Sequence, residues 1–113
     1  MYVPERIEKV ERAIAQAAGV TVGEIYGRSR LQAIVDARHA IWFVLHKHMG
    51  YTSAYLGRIY GRDHTTILSG VRSIRERAAD HVVDGLRKIL PEIFAEVEEE
   101  SKGRRIEEWN WSA

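Results

Sequence analysis

The stretch Tyr60-Gly61-Arg62-Asp63-His64-Thr65-Thr66-Ile67-Leu68-Ser69-Gly70-Val71-Arg72 constrains this chain more than any other. Ile67, Val71, Ile74 and Ala78 recur at the period of a helix that packs one face on a core, with Leu68 beside them. Thr65, Ser69 and Arg72 fall on the opposite face, where hydroxyls and a guanidinium can reach bases or phosphates in a groove. Asp63 stands just before the stripe, placed to cap the free N–H groups of the first turn. Upstream, Thr52 to Tyr60 has the makings of a two-turn helix, with Thr52 as its cap and Leu56, Ile59 and Tyr60 facing inward. Gly61 and Arg62 then supply a tight turn. Short helix, Gly-containing turn and longer helix is the order of a helix-turn-helix, although an ordinary helical hairpin shows it too.

The residues decide between these by resemblance. Gly61-Arg62-Asp63-His64-Thr65-Thr66 is similar to the signature of the C-terminal DNA-binding domain of DnaA, the bacterial chromosomal replication initiator. The similarity runs upstream through Gly50…Leu56-Gly57-Arg58, Ile34-Val35-Asp36-Ala37-Arg38-His39 and Gly27-Arg28-Ser29-Arg30, covering roughly residues 5–79 in order. It implies an all-α, TrpR-like domain with a long central helix and a helix-turn-helix that reads a short asymmetric duplex box. By resemblance Arg30 enters the minor groove, while Asp63, His64 and Thr65 meet base edges in the major groove. Arg28, Arg38, His46, Thr52, Ser53, Arg62, Thr66 and Arg72 then hold phosphates. The chain departs from the family pattern at Gln32, His46, His48 and Ala54, and its turn is one glycine shorter.

The rest of the chain supplies the scaffold. Pro4-Glu5 reads as a helix start, Ile7, Val10, Ile14 and Ala17 or Ala18 as its inward stripe, and Gly19 as its end. Thr21-Val22-Gly23-Glu24 has the spacing of a capping box and predicts a short helix through Tyr26. Leu31 to about Met49 reads as the central helix. Ile34, Val35, Ile41, Trp42, Val44 and Leu45 cover too much of its girth for a single stripe. Arg38 has two readings there, a phosphate contact or a salt bridge to Asp36 or Glu24. Asp80 starts a further helix, kinked at Pro91, that closes the core. Residues 1–100 are thus expected to form one domain, with 101–113 as a tail carrying Trp109 and Trp111.

Charge supports a polyanion partner. Residues 26–77 hold nine Arg and Lys against three acids, a net of +6, whereas residues 80–113 hold five against nine, a net of −4. His46 and His48 lie two apart on a helix, hence on different faces, and with no cysteine in the chain no metal site is expected. His46 stands where the resembled family usually has a basic residue, and it is a partial phosphate ligand at best. Asp63-His64 lacks a nucleophile or metal set, so no catalytic residue and no cofactor is assigned. No Gly-x-x-x-x-Gly-Lys-Ser/Thr loop occurs in the 113 residues.

The expected protein is a free-standing, monomeric, cytoplasmic reader of DnaA-box-like DNA that acts in the nucleoid on replication initiation or transcription without ATPase activity. The competing expectation is a protein-interaction module that modulates the initiator through the acidic C-terminal region.

Overall fold

A computed structural model describes residues 3–76, and among these every regular element is helical. Helix α1 spans Glu5–Ala18, α2 spans Val22–Tyr26 and α3 spans Gln32–Phe43. Helix α3 runs on as a π-turn, Val44–His48, and is followed by α4, Ser53–Tyr60, and α5, His64–Glu76. The further helix expected after Asp80, the position of Ala78 and the 101–113 tail lie outside the described residues.

Local sequence accounts for most of these boundaries. Glu5 and Glu8 stand in the first turn of α1, where carboxylates favour the helix dipole. Gly19 ends that helix in the left-handed region at φ 72°, sparing a side chain the cost of that conformation. Thr21 and Glu24 form the expected reciprocal cap, the Thr21 hydroxyl accepting from Glu24 N–H at 3.1 Å and Glu24 Oε1 from Thr21 N–H at 2.9 Å. Thr52 caps α4 by accepting from Tyr55 N–H at 3.0 Å.

Helix α3 is the hub and packs against α1, α2 and α5, while α4 packs on α5. Its burial spreads around the girth: Ile34, Ala37, Ala40, Ile41, Trp42 and Phe43 are all buried and Val44 and Leu45 continue them, whereas Val35, expected among them, is only half-buried. Helix α5 crosses it closely at Gly70, where a Cβ would stand 2.7 Å from both the Trp42 ring and His39 Cδ2. Ile67, Val71 and Ile74 line the inward face of α5, as the spacing requires.

Two expectations need correction. Ala17 and Ala18 are exposed, and α1 buries Ala15 and Glu11 beside Ile7, Val10 and Ile14. The chain leaves α1 by a backbone bond from Val20 N–H to Ala15 O, which carries Val20 rather than the last two alanines toward the core. The central helix is also not regular to Met49. An i→i+5 bond from Met49 N–H to Val44 O widens its last turn. His48 is thereby buried against the Phe43 ring, at 5.5 Å between centroids, and does not belong to an exposed face.

The polar centre of the core is Glu11, which is 2% exposed. Its Oε2 accepts from the Tyr60 hydroxyl at 2.6 Å and also from the Tyr26 hydroxyl. The two tyrosine rings stack at 4.8 Å, and Trp42 meets Tyr60 edge-on at 5.9 Å. Burial, reinforced by the charge of Glu11 and its hydrogen bonds, pushes both hydroxyls far above the ordinary tyrosine pKa of 10.0. Above about pH 10 the unfolded chain therefore releases the Tyr60 proton while the folded chain keeps it, so stability falls as pH rises. A loss of up to about 1.4 kcal/mol per pH unit from this one group is expected in urea titrations between pH 10 and 11.5. Tyr60→Phe should flatten that limb; an unchanged slope would contradict a protected hydroxyl.

Candidate nucleic-acid interface

Helix α4 ends at Gly61, which takes φ 66° and nothing within 4 Å of a built Cβ, so the chain turns freely there. Arg62 N–H returns to Gly57 O at 2.9 Å and closes the turn. Three residues, 61–63, thus separate two helices whose buried faces meet, the geometry of a helix-turn-helix. At the start of α5, Asp63 Oδ1 accepts from Thr65 N–H at 3.5 Å and lies 3.1 Å from His64 Nδ1. Asp63, His64, Thr65 and Thr66 are all exposed, and Ser69 and Arg72 continue the open side of the helix. The residues expected to meet bases are therefore gathered on one free helical edge.

Arg28 and Arg30 are exposed on the loop between α2 and α3, next to Leu31, which is 69% exposed. This loop is fastened to the helix-turn-helix. Gly27 O accepts from Arg62 Nη2 at 2.7 Å and from Arg38 Nη2 at 3.1 Å. Arg62 Nη1 also donates to Tyr60 O at 2.9 Å.

Arg38 corrects both of its expected roles. Its side chain is 6% exposed, and it donates to the carbonyls of Ile25, Ser29, Glu24 and Gly27 at 2.9 to 3.3 Å. Four of the five guanidinium N–H groups are thus spent on backbone acceptors, which leaves a poor phosphate ligand. It makes no salt bridge with the expected acids either: Asp36 accepts from Gln32 at 2.8 Å, and the Glu24 carboxylate is occupied by Thr21. Arg38 is the staple that shapes the loop.

The remaining expected phosphate ligands divide by exposure. Thr52 and Thr66 are exposed and Ser53 is half-buried. His46 is half-buried, with Nδ1 2.8 Å from Tyr51 O; because a carbonyl only accepts, Nδ1 carries the proton there. Desolvation lowers the pKa of Arg38 and Arg62, and the charge of Arg28 lowers both further. Three guanidinium groups within mutual electrostatic reach create a positive field that an anion would relieve. Among the described residues no group of three or more His, Asp or Glu is placed to hold a metal ion, and no helix is long and apolar enough to cross a membrane.

A helix-turn-helix with an open second helix and a basic loop fixed to its turn defines a domain of the DNA-binding helix-turn-helix class. Residues 7–74 match the family model described as the bacterial dnaA protein helix-turn-helix. The chain is 32% identical over 69 residues to the chromosomal replication initiator protein DnaA of Mycoplasma capricolum, across 60% of this chain and 15% of that protein. It is 30% identical over 87 residues to the initiator of Mesoplasma florum, across 72% of this chain and 20% of the relative. With that of Thermomicrobium roseum it shares 35% identity over 71 residues, across 62% of this chain and 15% of the relative. The chain belongs to the helix-turn-helix family of bacterial DnaA proteins, and it matches only 15% to 20% of the length of these relatives.

Proposed function

We propose that this domain binds double-stranded DNA at a short asymmetric box resembling a DnaA box, and thereby acts on replication initiation or transcription without hydrolysing nucleotide. The observation that carries the proposal is the free edge of α5, where Asp63, His64, Thr65 and Thr66 stand exposed beside a turn that also anchors the Arg28–Arg30 loop. Asp63, His64 and Thr65 read base edges in the major groove, with the Thr65 methyl suited to a thymine methyl. Arg30 reads the minor groove, whose negative potential is greatest where it is narrow. Arg28, Thr52, Ser53, Thr66 and Arg72 hold the backbone, with a partial contribution from His46.

Fluorescence anisotropy on duplexes carrying an initiator-type box or its scrambled counterpart, across a salt series, tests this reading. A box preference of ~10³ or more at physiological salt is expected. Equal, steeply salt-dependent binding to both would sink specific reading and favour a protein partner. Within the specific complex, Thr65→Ala should relax base choice at one major-groove position by about 1–3 kcal/mol. Arg30→Ala should instead weaken binding at AT-rich minor-groove positions. A complete base-substitution profile that Thr65→Ala leaves unchanged would remove α5 from the reading surface.

A further inference from the structure

The Gly27 carbonyl joins two parts of the domain that are 35 residues apart in sequence. On one side, Tyr26 and Gly27 lead into the loop that carries Arg28 and Arg30. On the other, Tyr60, Gly61 and Arg62 lead into Asp63 and α5. The two segments are joined by side chains. The rings of Tyr26 and Tyr60 stack, both hydroxyls meet Glu11, and Arg62 then bridges Tyr60 O and Gly27 O with its two terminal nitrogens. A guanidinium is a planar fork, so two carbonyls bonded to Nη1 and Nη2 are held in a fixed mutual geometry that an ammonium cannot impose. Arg30 lies three residues beyond one carbonyl, and Asp63 follows Arg62 directly.

We infer that Arg62 is a positioning residue: its bridge between Gly27 O and Tyr60 O sets the separation between the Arg30 loop and the start of α5, so that minor-groove and major-groove segments are read together at one spacing. This rests on the DNA-reading function proposed above. It departs from a phosphate role, which would use the charge of Arg62 and not its shape. With Nη1 and Nη2 both engaged and the side chain half-buried, the shape is what the structure uses.

The test compares the wild-type chain, Arg62→Lys and Arg62→Gln on three duplexes. These are the box enriched from a randomised duplex pool, its scrambled version, and the box with one base pair inserted between the segments mapped to Arg30 and to Thr65. The wild-type chain is expected to lose about thirtyfold or more on insertion, since one of its two reading elements must let go. Both variants should bind the intact box about tenfold more weakly, and insertion should then cost them no more than about threefold. Lysine should fail as glutamine does, although it keeps the charge. Combining Arg62→Lys with Arg30→Ala should cost less than the two single losses together, because the second change acts on a contact already misplaced.

A phosphate role predicts the opposite pattern: Lys near wild type, Gln weaker on every duplex with a salt slope reduced by about one, and the insertion penalty intact in both. That result would overturn the positioning role and leave the DNA-reading function standing. Equal wild-type binding to box and scrambled duplex would overturn both. Thermal melts of the two variants accompany the titrations. If one is unfolded at the assay temperature, the other decides, since an insertion penalty kept by either folded variant overturns the positioning role.

Discussion

Replacing Glu11 by leucine is expected to cost about 2–4 kcal/mol of stability, a large share of what a small domain possesses. The carboxylate is buried, and its Oε2 accepts from two tyrosine hydroxyls whose helices it thereby joins to α1. Leucine fills the space but accepts nothing. The Tyr60 hydroxyl, inside the core, and the Tyr26 hydroxyl at its edge would each lose their partner, at about 1–3 kcal/mol for a fully buried group and less for the half-buried one. Glu11→Gln keeps an oxygen able to accept from both hydroxyls and should cost only about 1 kcal/mol, the charge assistance being lost. Adding Tyr26→Phe and Tyr60→Phe to Glu11→Leu removes the orphaned hydroxyls and should restore much of the loss, since replacing both partners by apolar groups is nearly neutral. Urea titrations of the four proteins at pH 7 measure the series. A triple variant no more stable than Glu11→Leu alone would show that packing, not the hydrogen bonds, makes Glu11 necessary.

That cluster also shows where sequence reading runs out. The start of α1 at Glu5, its end at Gly19, the Thr21–Glu24 box, the Thr52 cap and the inward stripe of α5 were legible because each is decided by residues within one or two turns. Glu11 is decided by Tyr26 and Tyr60, 15 and 49 residues away. The available signal was its position, one residue after Val10 and four after Ile7, inside an apolar stripe where a carboxylate needs a partner. Arg38 escaped for a related reason. Its partners are backbone carbonyls of residues 24–29, and every residue has a carbonyl, so side-chain patterns pointed instead to acids or phosphates. The π-turn at Val44–His48 left no mark in the apolar spacing, because Val44 and Leu45 would be buried with or without it; only the inward place of His48 reveals it. The exposed start of α5 was more legible than the core. Asp63 closes the turn and His64, Thr65 and Thr66 open α5 ahead of Ile67, the first residue of its buried stripe, so local sequence alone leaves all four exposed at the helix start.

Gly57→Ala tests whether the helix-turn-helix geometry depends on the closeness of its own turn. A Cβ built on Gly57 stands 2.5 Å from the Arg62 carbonyl oxygen, under the 3.0 Å that real Cβ contacts respect. The obstacle is backbone, so no side chain can swing aside, and relief requires the turn to move away from α4. The same turn is held from the other direction, because Arg62 N–H donates to Gly57 O and Arg62 Nη2 to Gly27 O. Alanine is therefore expected to cost about 1–3 kcal/mol of stability, despite its better helix propensity. It should also displace Arg62, Asp63 and the first turn of α5 together, so the preference for box over scrambled duplex should fall about tenfold or more. Gly61→Asn is the control within the same turn. Gly61 needs the left-handed region, which asparagine tolerates, and its Cβ position is open, so a loss under about 1 kcal/mol with box preference retained is expected. Chemical denaturation and anisotropy on both variants separate the two effects. If Gly57→Ala matched Gly61→Asn in stability and box preference, the spacing between α4 and the turn would not govern what α5 reads.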